Sequence, residues 1–315
     1  MGDTDSDVKK LRGLLENVER VLHGKREAVT LAIVGLLAEG HVLLEDVPGT
    51  GKTTLARALA RSLDCRFRRI QFTNDLLPSD VLGVSVWSSD RSEFVFRPGP
   101  IFGNVILADE LNRTTPRSQS ALLECMQERS VSLDGETRVL PRPFFVIATQ
   151  NPMEFEGTYP LPESQLDRFL LSVRIGYPGR DVEREILRSR LGEDPIDSLA
   201  AVMSVDELLV AIDAVKEVTV DDSLLEYVLD FTQATRESEL FLLGASPRAA
   251  LGWVRAARAM ALLAGRTWCT PDDFKRLVVP VLAHRTLPAS ASDEGLSACS
   301  DPALEELAGT IPIPA

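Results

Sequence analysis

The sequence predicts an α/β fold in which helices cover both faces of a parallel sheet, followed by a domain built mainly of helices. Short apolar runs alternate with helical patterns up to about residue 177, which is typical of parallel strands joined by crossover helices. Beyond that point the patterns are helical. The 315 residues suffice for about two domains. We therefore expect a sheet domain over 1–177, a helical domain over 178–290 and a tail over 291–315.

The sheet domain begins with two predicted helices, over 7–22 and about 25–38, where apolar residues recur at helical spacing. A third helix is expected from Lys52 to about Leu63. Five strands are predicted from short apolar runs: 41–45, 67–72, 105–108, 144–148 and 169–175.

Two predicted hairpins interrupt this alternation. The first pairs Val84–Trp87 with Glu93–Phe96 around a polar turn at 88–92. The second pairs Val131–Leu133 with Thr137–Leu140 around Asp134-Gly135-Glu136, where Asp-Gly supplies the positive φ that a tight turn needs. Both hairpins would project from the edge of the sheet domain.

The helical domain carries several signals for the start of a helix. Ser204 and Glu207 have the spacing of a capping box. Ser246-Pro247 and Thr270-Pro271 each place a capping residue before a first-turn proline. The end of the chain is rich in Ala, Ser and Pro, which predicts a loose tail with one short helix near 302–307.

Composition and charge exclude several classes of protein. The 34 Lys and Arg against 47 Asp and Glu give a net charge of −13, which disfavours a general nucleic-acid-binding protein. No apolar run approaches the roughly 18 residues of a membrane span, and the acidic N-terminus lacks the positive region of a secretory signal. The four cysteines and three histidines are too widely spaced for a disulfide framework or a metal cluster. These features predict a cytoplasmic protein with reduced thiols.

The segment Asp46–Thr53, which reads DVPGTGKT, lies between a predicted strand and a predicted helix. It matches the phosphate-loop pattern GxxxxGK[ST], except that Asp46 replaces the first glycine. Its glycines allow backbone N–H groups to curl around phosphate oxygens, and the helix N-terminus adds a favourable partial charge. Lys52 would reach the β- and γ-phosphates, and Thr53 would ligate Mg²⁺. The residues expected to bind the nucleotide are Pro48, Gly49, Thr50, Gly51, Lys52, Thr53 and Thr54.

A pair of carboxylates follows the predicted strand at 105–108. In parallel α/β folds the carboxyl ends of the strands face the ligand, so Asp109 and Glu110 would lie near the phosphates. Asp109 would hold Mg²⁺ through water, and Glu110 would activate the water that attacks the γ-phosphate. The presence of Glu110 favours hydrolysis over simple binding.

Asn151 follows the next buried strand and could polarise the same water. An Asx turn before Pro152 is the alternative role for this side chain. The sequence contains no NKxD-type guanine-binding motif, which favours ATP over GTP as the nucleotide.

This combination resembles the AAA+ ATPases, and residues 37–177 look like the MoxR family. Six segments carry the resemblance: EDVPGTGKTT at 45–54, QFTNDLLPSDVLG at 71–83, FRPGPIF at 96–102, LADELNR at 107–113, QSALLECMQE at 119–128 and FVIATQNPMEFEGTYPLPESQLDRF at 145–169. Asp46 in the phosphate loop is itself typical of this family. Residues 178–290 resemble the family's helical lid more weakly. The resemblance implies a P-loop NTPase (AAA+) fold with a C-terminal helical lid and two insert hairpins.

The resemblance also implies roles for particular residues. Asn151 matches the sensor-1 asparagine, Arg168 the arginine finger that a neighbouring subunit inserts, and Arg248 the sensor-2 arginine in the first turn of a lid helix. A surface ion pair is the alternative role for each arginine. Arg113 could also contact a neighbour. The hairpins, with Trp87 and Phe94, could either face a central pore or partner or merely cap the sheet edge.

The family resemblance predicts a Mg²⁺-dependent ATPase that acts as a hexameric ring. Its work would be chaperone-like remodelling or maturation of protein complexes, with a von Willebrand factor A-domain protein as partner and a client that the sequence does not identify. Two alternatives remain. The first is a DNA-directed AAA+ motor or transcription remodeller, which the negative charge disfavours. The second is a non-catalytic scaffold gated by nucleotide, which the Asp109–Glu110 pair disfavours.

Overall fold

The computed structural model describes residues 2–90, 92–151, 157–189, 195–289 and 296–314. The strands in chain order are β1 (Val42–Glu45), β2 (Phe67–Gln71), β3 (Gly83–Ser88), β4 (Glu93–Pro98), β5 (Val105–Asp109), β6 (Ser130–Leu133), β7 (Glu136–Val139), β8 (Phe145–Gln150), β9 (Leu171–Val173), β10 (Phe241–Leu243) and β11 (Leu287–Pro288). The α-helices are α1 (Gly2–Glu19), α2 (Arg26–Leu37), α3 (Lys52–Ser62), α4 (Pro78–Leu82), α5 (Pro116–Glu128), α6 (Glu163–Leu166), α7 (Arg180–Ser189), α8 (Val205–Lys216), α9 (Asp222–Glu237), α10 (Pro247–Leu263), α11 (Pro271–Leu282) and α12 (Leu296–Thr310).

Five of the strands form one parallel sheet in the order β2–β5–β8–β1–β9. All five coincide with runs that the sequence predicts as strands. Because the strands are parallel, the carboxyl ends of β5, β8 and β1 lie side by side at one edge of the sheet. The phosphate-loop segment and both predicted catalytic segments begin at this edge.

Helices pack on both faces of the sheet, and the alternation of side chains along each strand fills two separate cores. In β1, Val42 and Leu44 join the core that also contains residues of α1, α2 and α3, whereas Leu43 joins the core formed with α5. In β5, Leu107 and Ile106 divide between the two cores in the same way. The strands are thus buried on both faces, as their continuous apolar sequences predict.

The two predicted hairpins are present as β3–β4 and β6–β7. The Asp134-Gly135 turn has φ of 53° and 79°, as the sequence predicts. The hairpins contact each other, since the Ser85 hydroxyl donates to Asp134 Oδ2 at 2.5 Å and the Arg138 guanidinium lies 4.1 Å from the Phe96 ring centre.

The helices from α8 to α11 pack around an aromatic core in which Tyr227, Phe231 and Phe274 surround Trp253. The predicted capping box is formed, because Ser204 Oγ accepts from the Glu207 N–H at 3.3 Å and Glu207 Oε2 accepts from the Ser204 N–H at 2.8 Å. Ser246 likewise caps α10 by accepting from the Ala249 N–H at 3.1 Å. Among the described residues, no helix is long and apolar enough to cross a membrane.

The end of the chain differs from the loose tail that its composition predicts. Residues 296–310 form α12, a helix of 15 residues that packs on α11. Leu304 and Leu307 are buried, and the Ser300 hydroxyl donates to the Thr286 carbonyl at 3.0 Å. The prediction of a short helix near 302–307 was wrong in extent, because burial of the two leucines stabilises a helix in a stretch that also contains the strong helix formers Ala, Leu and Glu.

Candidate active site

The phosphate-loop segment forms the connection between β1 and α3, as predicted. Gly49 and Gly51 have φ of 86° and 102°, a backbone region that other residues rarely adopt. Gly51 is the residue before the first turn of α3. The N–H groups of the first turn of a helix point along its axis and form a binding site for an anion. The loop therefore has the backbone shape of a phosphate cradle.

Lys52 lies across this loop. Its Nζ donates to the main-chain carbonyl of Asp46 at 2.7 Å, so the ammonium group sits beside the loop's first residue. The side chain of Asp46 points elsewhere: Oδ2 accepts from the backbone N–H groups of Ile175 at 2.8 Å and Gly176 at 2.6 Å. Asp46 is buried and leaves the phosphate cradle to the glycines and the lysine.

Asp109 ends β5 and is buried. Arg69 Nη2 donates to its Oδ2 at 2.6 Å, and the Thr149 hydroxyl donates to its Oδ1 at 2.7 Å. Arg69 lies on β2 and Thr149 on β8, the two strands that flank β5. Asp109 is thus oriented from both sides.

Glu110 follows directly, with φ of 58° and ψ of 49°, in the left-handed region. Its backbone N–H donates to Thr149 Oγ1 at 2.9 Å, and Gln71 Nε2 donates to its Oε2 at 2.6 Å. Arg113 Nη1 lies 3.5 Å from the same oxygen. The carboxylate of Glu110 is therefore fixed at the edge of the sheet by Gln71, the last residue of β2.

Asn151 is buried directly after β8, between the ends of β5 and β1. Asn112 Nδ2 donates to the Asn151 carbonyl at 3.4 Å. On the β1 side, the Asp46 N–H donates to the carbonyl of Gln150 at 3.3 Å. The structure thus brings the loop, Asp109, Glu110 and Asn151 to one edge of the sheet. Pro152, invoked in the alternative Asx turn, lies outside the described residues.

The oxygen donors at this edge suit Mg²⁺. The Thr53 hydroxyl and the Asp109 carboxylate are hard ligands, and Mg²⁺ is commonly held by one or two such groups together with water and substrate phosphates. Among the described residues, no group of three or more His, Cys, Asp and Glu side chains could hold a metal ion by itself. The donor set therefore fits a magnesium ion that arrives with a nucleotide.

Arg168 follows α6 and is half-buried. It lines a surface cavity of about 290 Å³ with residues of α5 that include Glu124 and Glu128. No residue of the phosphate loop lines this cavity. Arg168 therefore lines a cavity that the phosphate loop does not share.

Arg248 lies in the first turn of α10, and its Nε is 3.9 Å from Asp167 Oδ2. The Ser246 hydroxyl donates to Asp167 Oδ1 at 3.0 Å, and Arg285 Nε lies 3.5 Å from the same oxygen. Arg285 is fully buried, and burial lowers its pKa to about 10. Asp167, the residue before Arg168, thus contacts three residues of the helical domain.

His41 and three cysteines are titratable groups that lie away from this edge. Burial lowers the pKa of His41 to about 4, and its Nδ1 accepts from the Val146 N–H at 3.1 Å. Burial also raises the pKa of the thiols of Cys65, Cys125 and Cys269 to about 12, so these cysteines are poor nucleophiles.

Comparison with known proteins identifies the family. The ATPase family associated with various cellular activities (AAA) matches residues 41–171, and the AAA lid domain matches residues 233–305. Chaperone MoxR1 of Mycobacterium tuberculosis is 43% identical over 289 residues, covering 89% of this chain and 76% of that protein. The chain belongs to the MoxR family of AAA+ ATPases.

Two further matches extend over nearly the whole chain. An uncharacterized Bacillus subtilis protein, YeaC, is 48% identical over 301 residues, covering 95% of this chain and 93% of that protein. A crystal structure from Cytophaga hutchinsonii, provisionally named an ATPase, matches with a TM-score of 0.91 and 36% identity, covering 100% of this chain and 98% of that one. The predicted P-loop NTPase fold with a helical lid is therefore confirmed.

Sequence reasoning missed three polar residues of this MoxR-family site. Gln71 and Thr149 both lie in segments that carry the family resemblance, but their roles depend on which strands are neighbours in the sheet. Arg69 lies between Arg68 and Ile70 on β2, and its contact with Asp109 follows from the parallel pairing of β2 with β5. No local signal marks any of the three as a neighbour of the predicted catalytic carboxylates.

Proposed function

We propose that this protein hydrolyses ATP in a Mg²⁺-dependent reaction at the edge formed by β5, β8 and β1. The observation that carries the proposal is the position of Glu110, whose carboxylate is held by Gln71. Glu110 follows β5, and β8 lies between β5 and β1, the strand that leads into the phosphate loop. A protein that only bound nucleotide would have no need of a fixed base there. The cradle, the lysine and the base together form a hydrolytic site.

In the proposed reaction the loop N–H groups, the α3 N-terminus and Lys52 hold the β- and γ-phosphates. A bound Mg²⁺, held by Thr53 and through water by Asp109, would neutralise phosphate charge. Glu110 accepts a proton from water as the water oxygen bonds to the γ-phosphorus, and the bond to the bridging oxygen breaks to release ADP. Asn151 would orient the same water.

We propose that hydrolysis requires a ring of subunits, a hexamer by family resemblance. Arg168 lines a cavity with α5 and not with its own phosphate loop, which supports a role at a neighbouring subunit's nucleotide. The contact between Arg113 and Glu110 favours Arg168 over Arg113 for this role. Arg248 would reach the γ-phosphate within its own subunit through the lid.

The biological role that we propose is chaperone-like remodelling or maturation of protein complexes in the cytoplasm. The relative from M. tuberculosis is named a chaperone, and relatives from Paracoccus denitrificans and Methylorubrum extorquens are named Protein MoxR. The net charge of −13 favours a protein as client over a nucleic acid. A protein with a von Willebrand factor A domain is the partner we propose.

Release of phosphate from ATP by the purified chain tests the enzymatic part of this proposal. The wild-type protein should release phosphate only with Mg²⁺ present, and Lys52→Ala should abolish ATP binding. Lys216→Ala is a matched control, because Lys216 is an exposed lysine on α8 paired with Asp213 at 2.6 Å. Equal ATP affinity in the Lys52→Ala and Lys216→Ala variants would contradict the assigned nucleotide site.

A further inference from the structure

Asp46 stands where the phosphate-loop pattern has glycine, and its carboxylate makes three hydrogen bonds that glycine could not make. Oδ2 accepts from the N–H groups of Ile175 at 2.8 Å and Gly176 at 2.6 Å, and Oδ1 accepts from the N–H of Val47 at 3.0 Å. Asp46 is buried. Bonds between a carboxylate and backbone N–H groups are charge-assisted and about twice as strong as neutral ones.

The two amides that Asp46 holds belong to the connection between the sheet domain and the lid. This lid connection, residues 174–179, runs from the end of β9 to the start of α7. Gly176 within it has φ of 67°, and Lys25 Nζ donates to the Tyr177 carbonyl at 2.8 Å. The position of the connection is therefore set by Asp46 from one side and by Lys25 from another.

The backbone of Asp46 faces the reacting groups. Its carbonyl accepts from Lys52 Nζ at 2.7 Å, and its N–H donates to the carbonyl of Gln150, which precedes Asn151, at 3.3 Å. When phosphate binds, the Lys52 ammonium would exchange the Asp46 carbonyl for phosphate oxygens. Movement of the Lys52 ammonium group would thus remove a hydrogen bond from Asp46, the residue whose carboxylate holds the lid connection.

We propose that Asp46 is a positioning residue that couples the phosphate loop to the lid connection. Binding of nucleotide strengthens the hold of the Asp46 carboxylate on the amides of Ile175 and Gly176. By thermodynamic reciprocity, an ordered lid connection raises the affinity of the loop for nucleotide. The inference rests on the proposed nucleotide site. It adds a path of contacts by which nucleotide binding at the phosphate loop orders the lid connection.

Hydrogen exchange of the Ile175 and Gly176 amides tests this coupling directly, with Mg²⁺ and ADP as the probe because ADP persists during the measurement. In the wild-type protein ADP should slow exchange of these amides about tenfold. In Asp46→Gly, which restores the general phosphate-loop pattern, exchange should be fast with or without ADP, and ADP affinity should fall about tenfold. Asp46→Asn should be intermediate, because its amide oxygen can still accept from both N–H groups.

Lys25→Ala provides the matched control. It removes a second polar contact to the lid connection but none to the phosphate loop, so exchange should rise in both states while the ADP-dependent difference persists. Unchanged ADP-dependent protection in Asp46→Gly would overturn the proposal. Complete loss of the ADP-dependent protection in Lys25→Ala would also overturn it, because removal of any contact to the lid connection would then abolish the protection. A wild-type protein that binds no ADP would overturn the proposed nucleotide site as well, which is a distinguishable result.

Discussion

Gln71 Nε2 donates a hydrogen bond of 2.6 Å to Glu110 Oε2, and this bond fixes the proposed catalytic carboxylate. The contact arises because β2 and β5 are parallel neighbours in which Gln71 is paired with Asp109. The backbone of Glu110 is set separately, by its N–H bond to Thr149. Loss of Gln71 would therefore leave the carboxylate with the longer contact of 3.5 Å to Arg113, without displacing the chain that carries it.

We expect Gln71→Ala to lower kcat about tenfold with little change in ATP affinity, because misorientation of a catalytic group raises the barrier without weakening the phosphate contacts. Steady-state kinetics and ATP titration measure the two quantities. Gln233→Ala serves as the control, since Gln233 Nε2 makes a similar bond of 2.7 Å to Glu237 on the exposed face of α9. Equal kcat values for the two variants would show that Gln71 does not orient the base.

Asp167 should contribute strongly to the free energy of unfolding, in addition to its contacts with Ser246, Arg248 and Arg285. Asp167→Ala leaves the buried Arg285 without its carboxylate, and loss of one partner from a buried ion pair destabilises a protein by about 3–5 kcal/mol. Asp197→Ala is the control, because Asp197 is exposed and its contacts with Arg57 and Arg61 are 3.8 and 3.9 Å long. Urea unfolding measures the free energy of unfolding of both variants and of the wild type. Similar losses in both variants would refute the assigned role of Asp167.

A mixing experiment tests whether Arg168 acts on a neighbouring subunit. Arg168→Ala should bind ATP but lose turnover by a factor on the order of 10³. Lys52→Ala should bind no ATP yet keep its arginine. Mixed rings should recover part of the activity, because an Arg168→Ala subunit can hydrolyse ATP beside a Lys52→Ala neighbour. Activity no greater than the sum of the separate variants would mean that the two residues do not act in one shared site.

Acid should destabilise the protein in part through His41. Burial lowers the pKa of this histidine from 6.5 to about 4, so between these values the unfolded chain binds a proton and the folded one does not. The contribution of His41 to the free energy of unfolding is therefore fully present above pH 6.5. It falls by about 3 kcal/mol as the pH drops to 4. The free energy of unfolding, measured at several pH values, should fall more steeply with acid in the wild type than in His41→Gln. A constant difference between the two proteins would contradict the assignment.

The sheet strands and the hairpins were predictable because each has a local signal, and the predicted catalytic segments carry such signals too. Apolar runs such as Val105–Ala108 mark buried strands, and the GTGKT segment carries its chemistry in consecutive residues. The partners of those residues were not predictable. Gln71 reaches Glu110 across the sheet, and Asp46 reaches Ile175 across 129 positions of sequence, so both contacts depend on strand order.

The helix α12 illustrates the other limit. The end of the chain as a whole is rich in Ala, Ser and Pro, which predicts a loose tail, yet Leu304 and Leu307 are buried in the core and the segment 296–310 is helical. Intrinsic propensity is a weak predictor when tertiary burial opposes it. The contact of Asp167 with Arg285 was equally inaccessible from sequence, because it requires knowledge of how the lid packs on the sheet domain.

Single-turnover hydrolysis by the Glu110→Gln variant tests the central claim most directly. Gln is similar in size to Glu but cannot accept the proton of the attacking water. The account predicts ATP affinity within about twofold of wild type and a rate of phosphate release lower by roughly 10²–10⁴. Normal phosphate release by the assembled Glu110→Gln protein would contradict the assignment of Glu110 as the base.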